Sequence, residues 1–542
     1  MNADAPANRV RAAPRRALAR FVTRADVWAT TLVCLPIAVN GVRAAASDWV
    51  PIGDDAYFTL RSMDVATSHH PLLGAWSSGS VGVDRSVNNL GPIQLDLLAP
   101  FTRIAPHGGT AVAVAVVNIA AIVTIAWLLG RLAGRRATLL GMLPVALMSW
   151  TMGSEMLITP RQHQFLVLTY LCFLVAAWAA ASGDRWALVP AVTTASLCTQ
   201  THLSYPILVA AVGSVAIVGQ LWAWRRSDAR RAFLVPWAVA GGVAAVLWSQ
   251  TIIDQLFGWG NFTDVIASPG SGEQPGWVKA AQIVGGTLLH PRTYVRRGWA
   301  DFDPEALHSS VGAVAIVALV IALVIATVCA WRRGRVATTA GFAVAAAAVG
   351  AAVVDASQLP ITVFGLTPFN YRWIWPTGTF LLVGVVVALG RLEPIGDLLD
   401  DRRATWATVG AVGVLSVANL PVSLQVPDPV RYAADQRGVA ELVRQLEAVP
   451  LDGPVVIDQT NMYFGHSYGY PTAVVLRDRG IDYRFVESMQ ERRFGADRVA
   501  DGTEPTVLTL WAAYDAVERF ADPATVVYVV SDPPIAITLE QR

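Results

Sequence analysis

The sequence predicts a polytopic α-helical membrane protein that ends in a small α/β domain. The chain has 542 residues, of which 54% are hydrophobic and 15% are charged. Soluble proteins contain about 25% charged residues, so this chain has too few charges to cover several soluble domains. Long apolar runs recur up to residue 424, whereas the segment from 425 onward is charged throughout and contains short β-branched runs. The net charge of +1 gives no electrostatic case for a nucleic-acid partner.

The apolar runs predict about 11 membrane spans, because about 20 apolar residues cross a bilayer as a helix. The third and fifth runs are the shortest. In chain order the runs are 26–46, 108–130, 137–152, 164–182, 186–200, 203–224, 232–252, 310–331, 336–354, 374–390 and 404–424.

Arginine placement predicts the orientation of these spans. Arginine clusters lie in the amino-terminal segment 1–25, after the second, sixth and eighth runs, and on the carboxy-terminal side of the tenth. If the runs alternate across the bilayer, all clusters fall on one side, which the positive-inside rule makes the cytoplasm. Segment 1–25 is then cytoplasmic, and 26–424 forms the membrane domain. The loops 47–107 and 253–309 and the segment 425–542 are external to a bacterial plasma membrane.

The external segment 425–542 has the pattern of a small α/β domain. Strand-like runs at 454–458, 482–486 and 525–530 alternate with helical patterns near 433–447 and 469–479. This alternation predicts a largely parallel sheet. Polar residues follow the first strand, where ligands of such sheets gather, so they form either a glycan-acceptor site or a structural loop. They are Asp458, Asn461, Tyr463, His466 and Tyr468.

The pair Asp54 and Asp55 is the strongest candidate for catalysis. It follows a turn signal just after the first span and leads into an amphipathic pattern. One carboxylate at this external boundary can remove a proton from a sugar hydroxyl. Its neighbour can orient the acceptor or stabilise developing positive charge. The alternative interpretation is a helix N-cap whose acids favour the helix dipole.

Motif and topology together resemble the GT-C superfamily of membrane glycosyltransferases. The shared features are a cytoplasmic amino terminus, an acidic pair that opens the first external loop, and an external carboxy-terminal domain. The resemblance implies a polyprenyl-phosphate sugar donor and a cell-envelope glycan or glycolipid acceptor. The arginine- and alanine-rich composition is similar to that of actinobacterial members, which implies arabinofuranose as first choice and mannose as second, from decaprenyl-phosphate donors. The Trp-Trp-Asp motif of oligosaccharyltransferases is absent.

A lipid-phosphate donor needs cations near the membrane boundary. Arg161 and Arg372, the latter beside Tyr371, lie at external span ends and can form forked hydrogen bonds to phosphate. His290 and Arg292 lie in the second long loop, which in GT-C enzymes helps to order the lipid donor. The alternative for all of them is interfacial anchoring.

The remaining candidates are polar and aromatic residues suited to sugar hydroxyls and sugar faces. Turn chemistry explains several of them equally well. Adjacent histidines without a third ligand are weak evidence for a metal, and Asp301-Phe302-Asp303 is better explained as a surface turn than as a metal motif. We therefore predict no metal and no cofactor. The substrate-binding candidates are Tyr57, His69, His70, Trp76, Asn88, Asn89, His163 and His202.

Two non-enzymatic functions compete with glycosyl transfer. A transporter or flippase for lipid-linked sugars would place ionisable residues inside its spans. Here nearly every charge falls at a span boundary or in a loop. An assembly factor that recognises partners through 425–542 is the third alternative.

Overall fold

The computed structural model describes most of the chain. The described residues are 24–47, 49–77, 80, 86–267, 273–361, 365–392, 401–420, 429–463, 466–487 and 490–542. Almost all of the basic segment 1–25 and the start of the segment 425–542 therefore lie outside the described residues.

Helices follow each predicted span to within a few residues, and five short helices of the described part lie in the loops 47–107 and 253–309. In chain order the helices of this part are α1 (Ala25–Ala45), α2 (Asp54–Met63), α3 (Ile93–Thr102), α4 (Pro106–Met152), α5 (Gln162–Ala181), α6 (Leu188–Thr201), α7 (Pro206–Arg226), α8 (Arg231–Phe257), α9 (Asn261–Ala267), α10 (Gly276–Leu288), α11 (Arg296–Ala300), α12 (Ser310–Arg332), α13 (Val336–Gln358), α14 (Ile374–Leu389) and α15 (Arg402–Ala418).

Eight helices of the described part are long and apolar enough to cross a membrane. One of them, α4, has 47 residues and breaks at Gly134, whose φ of 79° is non-helical. The break separates the second and third predicted spans. Helices α6 and α15, with 14 and 17 residues, are shorter than a typical span. The total of about 11 spans stays a prediction.

Contacts between helix ends agree with the predicted alternation. On the arginine-rich side, Arg131 Nη2 at the middle of α4 donates to Asp184 Oδ1 after α5 at 2.9 Å. The rings of Trp222 and Trp331, near the ends of α7 and α12, lie 5.2 Å apart on that side. At the opposite ends, the two long loops and the carboxy-terminal domain contact one another. That the arginine-rich side is the cytoplasm stays a prediction.

The carboxy-terminal domain is an α/β unit with a mixed five-stranded sheet. Strands β1 and β2 pair in parallel, as do β1 and β3, whereas β3–β5 and β4–β5 are antiparallel. The prediction of a largely parallel sheet is therefore wrong. The connection 530–534 between β4 and β5 is too short for the crossover that parallel pairing requires. The elements are α16 (Pro429–Glu447), β1 (Val455–Asn461), α17 (Gly469–Asp478), β2 (Tyr483–Phe485), α18 (Glu491–Phe494), β3 (Thr506–Ala512), α19 (Tyr514–Arg519), β4 (Thr525–Val529) and β5 (Ile535–Gln541).

This domain docks directly on the first long loop, 47–107. The Gly53 N–H donates to the Ser467 carbonyl at 3.0 Å. Farther along the loop, Arg477 Nε lies 3.5 Å from Asp64 Oδ1, and Asp64 is fully buried. Contacts of this kind fix the acidic pair between the membrane helices and the domain.

Candidate active site

Helix α2 presents the acidic pair. It starts after Gly53, whose φ of 48° and ψ of −123° belong to a region that suits glycine. Successive residues of a helix point about 100° apart, so Asp54 and Asp55 face different surroundings. Asp54 is exposed, whereas Asp55 is fully buried. Asp54 acts electrostatically on Tyr470 of the carboxy-terminal domain.

Asp55 forms an ion pair with Arg161, which precedes α5. The Arg161 Nε atom lies 3.2 Å from Asp55 Oδ1, and the arginine side chain keeps 29% of its surface exposed. Burying a carboxylate away from solvent costs free energy unless a nearby cation compensates its charge. Arg161 is that cation here. The sequence separates these residues by two spans, but the fold brings together the predicted base and a predicted phosphate ligand.

Three more predicted residues converge beside this pair. His163 on α5 lies within electrostatic range of Arg161, His202 and Arg372. Its ring stacks on Phe369, with ring centroids 5.4 Å apart. Burial lowers the pKa of His202 to about 4, so its ring is neutral at pH 7. We call Arg161, His163, His202 and Arg372 the cation pocket.

Arg372 stands in an aromatic enclosure. Its guanidinium carbon lies 4.2 Å from the ring centroid of Trp299, 5.2 Å from that of Trp375 and 5.5 Å from that of Phe302. Nη1 donates to the Trp299 carbonyl at 2.5 Å. No carboxylate pairs with Arg372 among the described residues. An arginine held by aromatic faces and one carbonyl retains donors for an anionic ligand.

The other predicted donor-binding residues differ in their surroundings. Tyr371 is buried, with its ring 6.4 Å from Phe302 and 6.3 Å from Trp373. His290 and Arg292 are exposed on a short 3₁₀ turn, where His290 Nδ1 accepts from the Arg292 N–H at 3.1 Å. The structure does not bring these two residues into the cation pocket.

Several residues predicted to bind sugar form hydrogen bonds or ion pairs that stabilise the first long loop. His70 Nδ1 accepts from the Ala66 N–H at 2.9 Å, which leaves Nε2 to face Gln250 Oε1 at 3.1 Å. His69 pairs with Asp497 of the carboxy-terminal domain at 2.7 Å. Asn89 is buried, and its side chain bonds the backbone of Ala75 and Leu203. Substrate contact by these residues stays a prediction.

Two aromatic candidates lie at the interface with the carboxy-terminal domain. Arg493 covers the Trp76 ring, with its guanidinium carbon 4.4 Å from the centroid. Tyr57 packs against Tyr470 and Phe494 at 5.6 and 5.5 Å between centroids. Burial raises the pKa of Tyr57 to about 12, so its hydroxyl stays protonated. Tyr57 therefore joins α2 to the carboxy-terminal domain, and Trp76 joins the first loop to it.

Asn88 lies at a junction between three external segments. Its Oδ1 accepts from Arg492 Nε at 3.2 Å. Arg492 Nη2 also donates to Asn261 Oδ1 at 3.0 Å and to Asp264 Oδ2 at 2.9 Å. The carboxy-terminal domain therefore holds both long external loops through one guanidinium. Arg492 could not be predicted from the sequence, because its partners are distant in the chain.

Of the polar residues after β1, His466 serves the local fold. Its Nδ1 accepts from the backbone N–H groups of Tyr468 and Gly469 at 3.2 and 3.1 Å at the start of α17. Burial lowers the pKa of His466 to about 4. Asp458 Oδ1 accepts from Thr460. Asp303 likewise accepts from the backbone of Glu305 at 2.9 Å, as a surface turn requires.

The fold is a multi-helix membrane domain with two long loops, on which a carboxy-terminal α/β domain docks. The chain is similar to the solved structure of ArnT from Cupriavidus metallidurans bound to undecaprenyl phosphate, with a TM-score of 0.55 and 14% identity over 95% of this chain and 98% of that one. The apo state of the same protein matches with a TM-score of 0.53 and 12% identity, over 97% and 98% of the two chains. AglB, an oligosaccharyltransferase from Archaeoglobus fulgidus, matches with a TM-score of 0.42 and 12% identity, over 90% of this chain and 69% of that one. No family model and no curated protein matches the chain.

Proposed function

We propose that the protein transfers a glycosyl group from a polyprenyl-phosphate sugar to a hydroxyl of a cell-envelope glycan or glycolipid. The observation that carries this proposal is the Asp55–Arg161 ion pair beside Arg372. The Asp55 carboxylate and the proposed phosphate ligands Arg161 and Arg372 then lie at the same external membrane boundary. The fold supports it, and so does the undecaprenyl phosphate in the similar ArnT structure.

Asp55 is our choice for the general base. In the reaction its carboxylate takes the proton of the acceptor hydroxyl, and the acceptor oxygen bonds to the anomeric carbon. The bond from that carbon to the phosphate oxygen breaks, and its electron pair leaves with the lipid phosphate. Before the donor binds, Arg161 pairs with the Asp55 carboxylate. When the donor phosphate takes over Arg161, the carboxylate is released for proton transfer.

Arg372 and Arg161 then stabilise the leaving phosphate. Charge forms on the phosphate oxygens as the glycosyl bond breaks, and preorganised donors in a site shielded from water are most effective there. The aromatic walls of Arg372 provide that shielding. The forked donors of arginine match phosphate oxygens. No nucleotide is needed for this chemistry.

Asp54 and the second loop have separate roles in this proposal. Exposed Asp54 faces the carboxy-terminal domain, so it orients the acceptor. The loop 253–309 contributes Trp299 to the wall around Arg372, so it closes over the donor. For the sugar we propose arabinofuranose first and mannose second, on the basis of the resemblance to actinobacterial enzymes.

One observation favours the alternative of a transporter or flippase. Asp355 is buried inside α13, and ionisable residues within spans often belong to transport pathways. The same experiment separates the two functions, since transport moves the lipid-linked sugar without forming a new glycosidic bond.

The test uses membranes supplied with radiolabelled decaprenyl-phosphate arabinose and a synthetic acceptor. Asp55→Asn keeps the shape of the side chain but removes the base, so we expect transfer to fall by about 100-fold or more. Asp54→Asn should lose less. Asp452→Asn changes an exposed acid of the carboxy-terminal domain and should transfer normally. Normal transfer by both Asp54→Asn and Asp55→Asn would exclude the catalytic proposal, and movement of label without covalent transfer would favour transport.

A further inference from the structure

One segment of the second long loop forms part of the enclosure around Arg372. Trp299 covers the guanidinium, with 4.2 Å between the guanidinium carbon and the ring centroid, and its carbonyl accepts from Arg372 Nη1 at 2.5 Å. The ring centroid of Phe302 lies 5.5 Å from the same carbon. We call residues 293–302 the arm. A long side chain such as arginine has many rotamers, so the direction of its remaining N–H groups depends on what holds the guanidinium.

Trp375, on the first turn of α14, connects the arm to Arg372. Its Nε1 donates to the Thr293 carbonyl at 3.1 Å, at the beginning of the arm. Its ring centroid lies 5.0 Å from that of Trp299 and 5.2 Å from that of Phe302, near the end of the arm. The guanidinium carbon of Arg372 lies 5.2 Å from the same ring. One side chain, 1% exposed, therefore contacts the arm at both ends and Arg372 as well.

Three further hydrogen bonds join the arm to the elements around it. Thr151 Oγ1, at the end of α4, donates to the Tyr294 carbonyl at 3.0 Å. The Tyr294 hydroxyl donates to the Leu288 carbonyl of α10 at 2.8 Å. Arg296 Nη1 donates to the Ala418 carbonyl of α15 at 3.5 Å. Because these bonds involve different helices, a shift of the arm breaks several of them, and the arm is a fixed support for Trp375.

The contacts of Trp375 are directional, which distinguishes it from a side chain that only fills volume. Its ring meets those of Trp299 and Phe302 edge-to-face, with interplanar angles of 72° and 84°. Aromatic pairs favour this geometry, and a buried indole N–H needs a partner. The hydrogen bond to the Thr293 carbonyl therefore fixes the plane of the ring. Arg372, packed against the rings of Trp299 and Trp375, is oriented in turn.

We propose that Trp375 is a positioning residue for Arg372. It ties the guanidinium to the arm, so that the N–H groups of Arg372 keep one direction before the lipid donor binds. Groups that are already ordered lose less entropy when a ligand binds. This inference rests on the proposed role of Arg372 at the donor phosphate. Trp375 acts through Arg372 and takes no part in proton transfer, so its loss should weaken binding of the lipid donor and leave binding of the acceptor unchanged.

The test measures the donor KM and the acceptor KM of Trp375→Phe from initial rates of transfer in membranes. This variant keeps an aromatic ring, but it loses the hydrogen bond to the Thr293 carbonyl and part of the contact with Arg372. We expect the donor KM to rise by about fivefold or more, which corresponds to the loss of one hydrogen bond. The acceptor KM should stay the same.

Trp178→Phe is the matched control. Trp178 on α5 is also buried, at 5% exposure, and its Nε1 donates to the Ala337 carbonyl at 2.7 Å, near the arginine-rich side. The control therefore loses the same kind of ring and the same kind of hydrogen bond. In thermal unfolding, the Tm of both variants should fall by a similar amount. Only Trp375→Phe should raise the donor KM.

Thr151→Val covers the case that Trp375→Phe does not fold. It removes the hydroxyl that donates to the Tyr294 carbonyl and leaves Arg372 and Trp375 unchanged, so the donor KM should rise by about twofold. A donor KM that is equal in Trp375→Phe and Trp178→Phe would show that Trp375 only fills the core. An unaltered donor KM in Thr151→Val would have the same meaning if Trp375→Phe does not fold.

The variant Arg372→Lys separates this inference from the proposed function. If Arg372→Lys raises the donor KM and Trp375→Phe does not, the positioning role alone is overturned. If Arg372→Lys leaves the donor KM unchanged, the phosphate role of Arg372 is overturned, and the positioning role with it.

Discussion

At the scale of single residues, neighbouring acids of the same type have different surroundings. Asp54 is exposed and faces the carboxy-terminal domain, whereas Asp55 is buried against Arg161. The sequence predicted the pair but gave no means to distinguish its members, because the difference depends on a partner about a hundred positions away. Helix geometry also contributes to the different exposure of Asp54 and Asp55, since adjacent side chains of a helix point in different directions.

The cation pocket shows the same dependence on long-range contacts. Arg161 and Arg372 could be predicted because arginine at an external span end is a recognisable signal. The partners of Asn88, Asn89 and His70 could not, since they lie in other loops and helices. Asn-rich turns and sugar sites use the same residue types, so composition does not separate them.

Arg372 gives a prediction at this scale. Arg372→Lys keeps the positive charge but loses the forked donors and the flat face that stacks on Trp299. Charge-assisted hydrogen bonds contribute about 1.5–3 kcal/mol, so we expect the KM for the lipid donor to rise by about tenfold or more. Initial rates at varied donor concentration measure this. Arg292→Lys, an exposed arginine outside the cation pocket, should leave the donor KM unchanged. A donor KM that responds equally to both substitutions would remove Arg372 from the phosphate site.

At the scale of elements, hydropathy predicted the membrane helices well, because the bilayer requires long apolar segments with internal hydrogen bonds. The sequence predicted two separate spans, 108–130 and 137–152, and α4 breaks between them at Gly134. Strands β3 and β5 were missed. Both lie in the interior of the sheet, β3 between β1 and β5 and β5 between β3 and β4, and this pairing depends on tertiary contacts that single-sequence patterns do not contain.

Helix α2 gives the prediction at this scale, through the turn that starts it. Gly53→Ala places a Cβ where no atom is nearer than 3.7 Å, so the cost is conformational and arises from the φ of 48°. That strain is about 1–2 kcal/mol. Relief of the strain would rotate the start of α2 and displace Asp54 and Asp55, and a displacement of about 1 Å can lower a rate by about 100-fold.

Gly480→Ala is the matched control for this prediction. Gly480 also has a positive φ, of 72°, with open space around it, but lies after α17 and away from the acidic pair. In thermal unfolding, the Tm of both variants should fall by a similar, small amount. Only Gly53→Ala should lose a large part of the transfer activity. Equal activity in the two variants would show that the geometry of this turn does not limit the reaction.

At the scale of the whole molecule, the carboxy-terminal domain is joined to the membrane domain at several points. Arg492 holds both long loops, Arg477 reaches buried Asp64, and the Ser467 carbonyl accepts from Gly53. These contacts come from α17, from the residue Ser467 before it and from α18 after it, so the domain and the first loop form one continuous structure. The sequence predicted the domain itself, because its charge and β-branched runs differ from those of the spans. It did not predict the docking, which depends on complementary side chains on both partners.

The function also depends on which side of the membrane this assembly faces. If the predicted spans alternate across the bilayer, the arginine clusters fall opposite the acidic pair, and the positive-inside rule then predicts that Asp54, Asp55 and the carboxy-terminal domain lie outside. The prediction can be tested in a background in which the four cysteines are replaced by serine. Asp452→Cys marks the domain, and Arg333→Cys marks the arginine-rich end of α12; both positions are exposed. In intact cells a membrane-impermeant maleimide should label Asp452→Cys only, and permeabilised cells should label both. The reverse pattern would place the proposed base in the cytoplasm, where an acceptor on the outer face is out of reach, and the proposed reaction would then be excluded whatever the rates of the Asp55 variants.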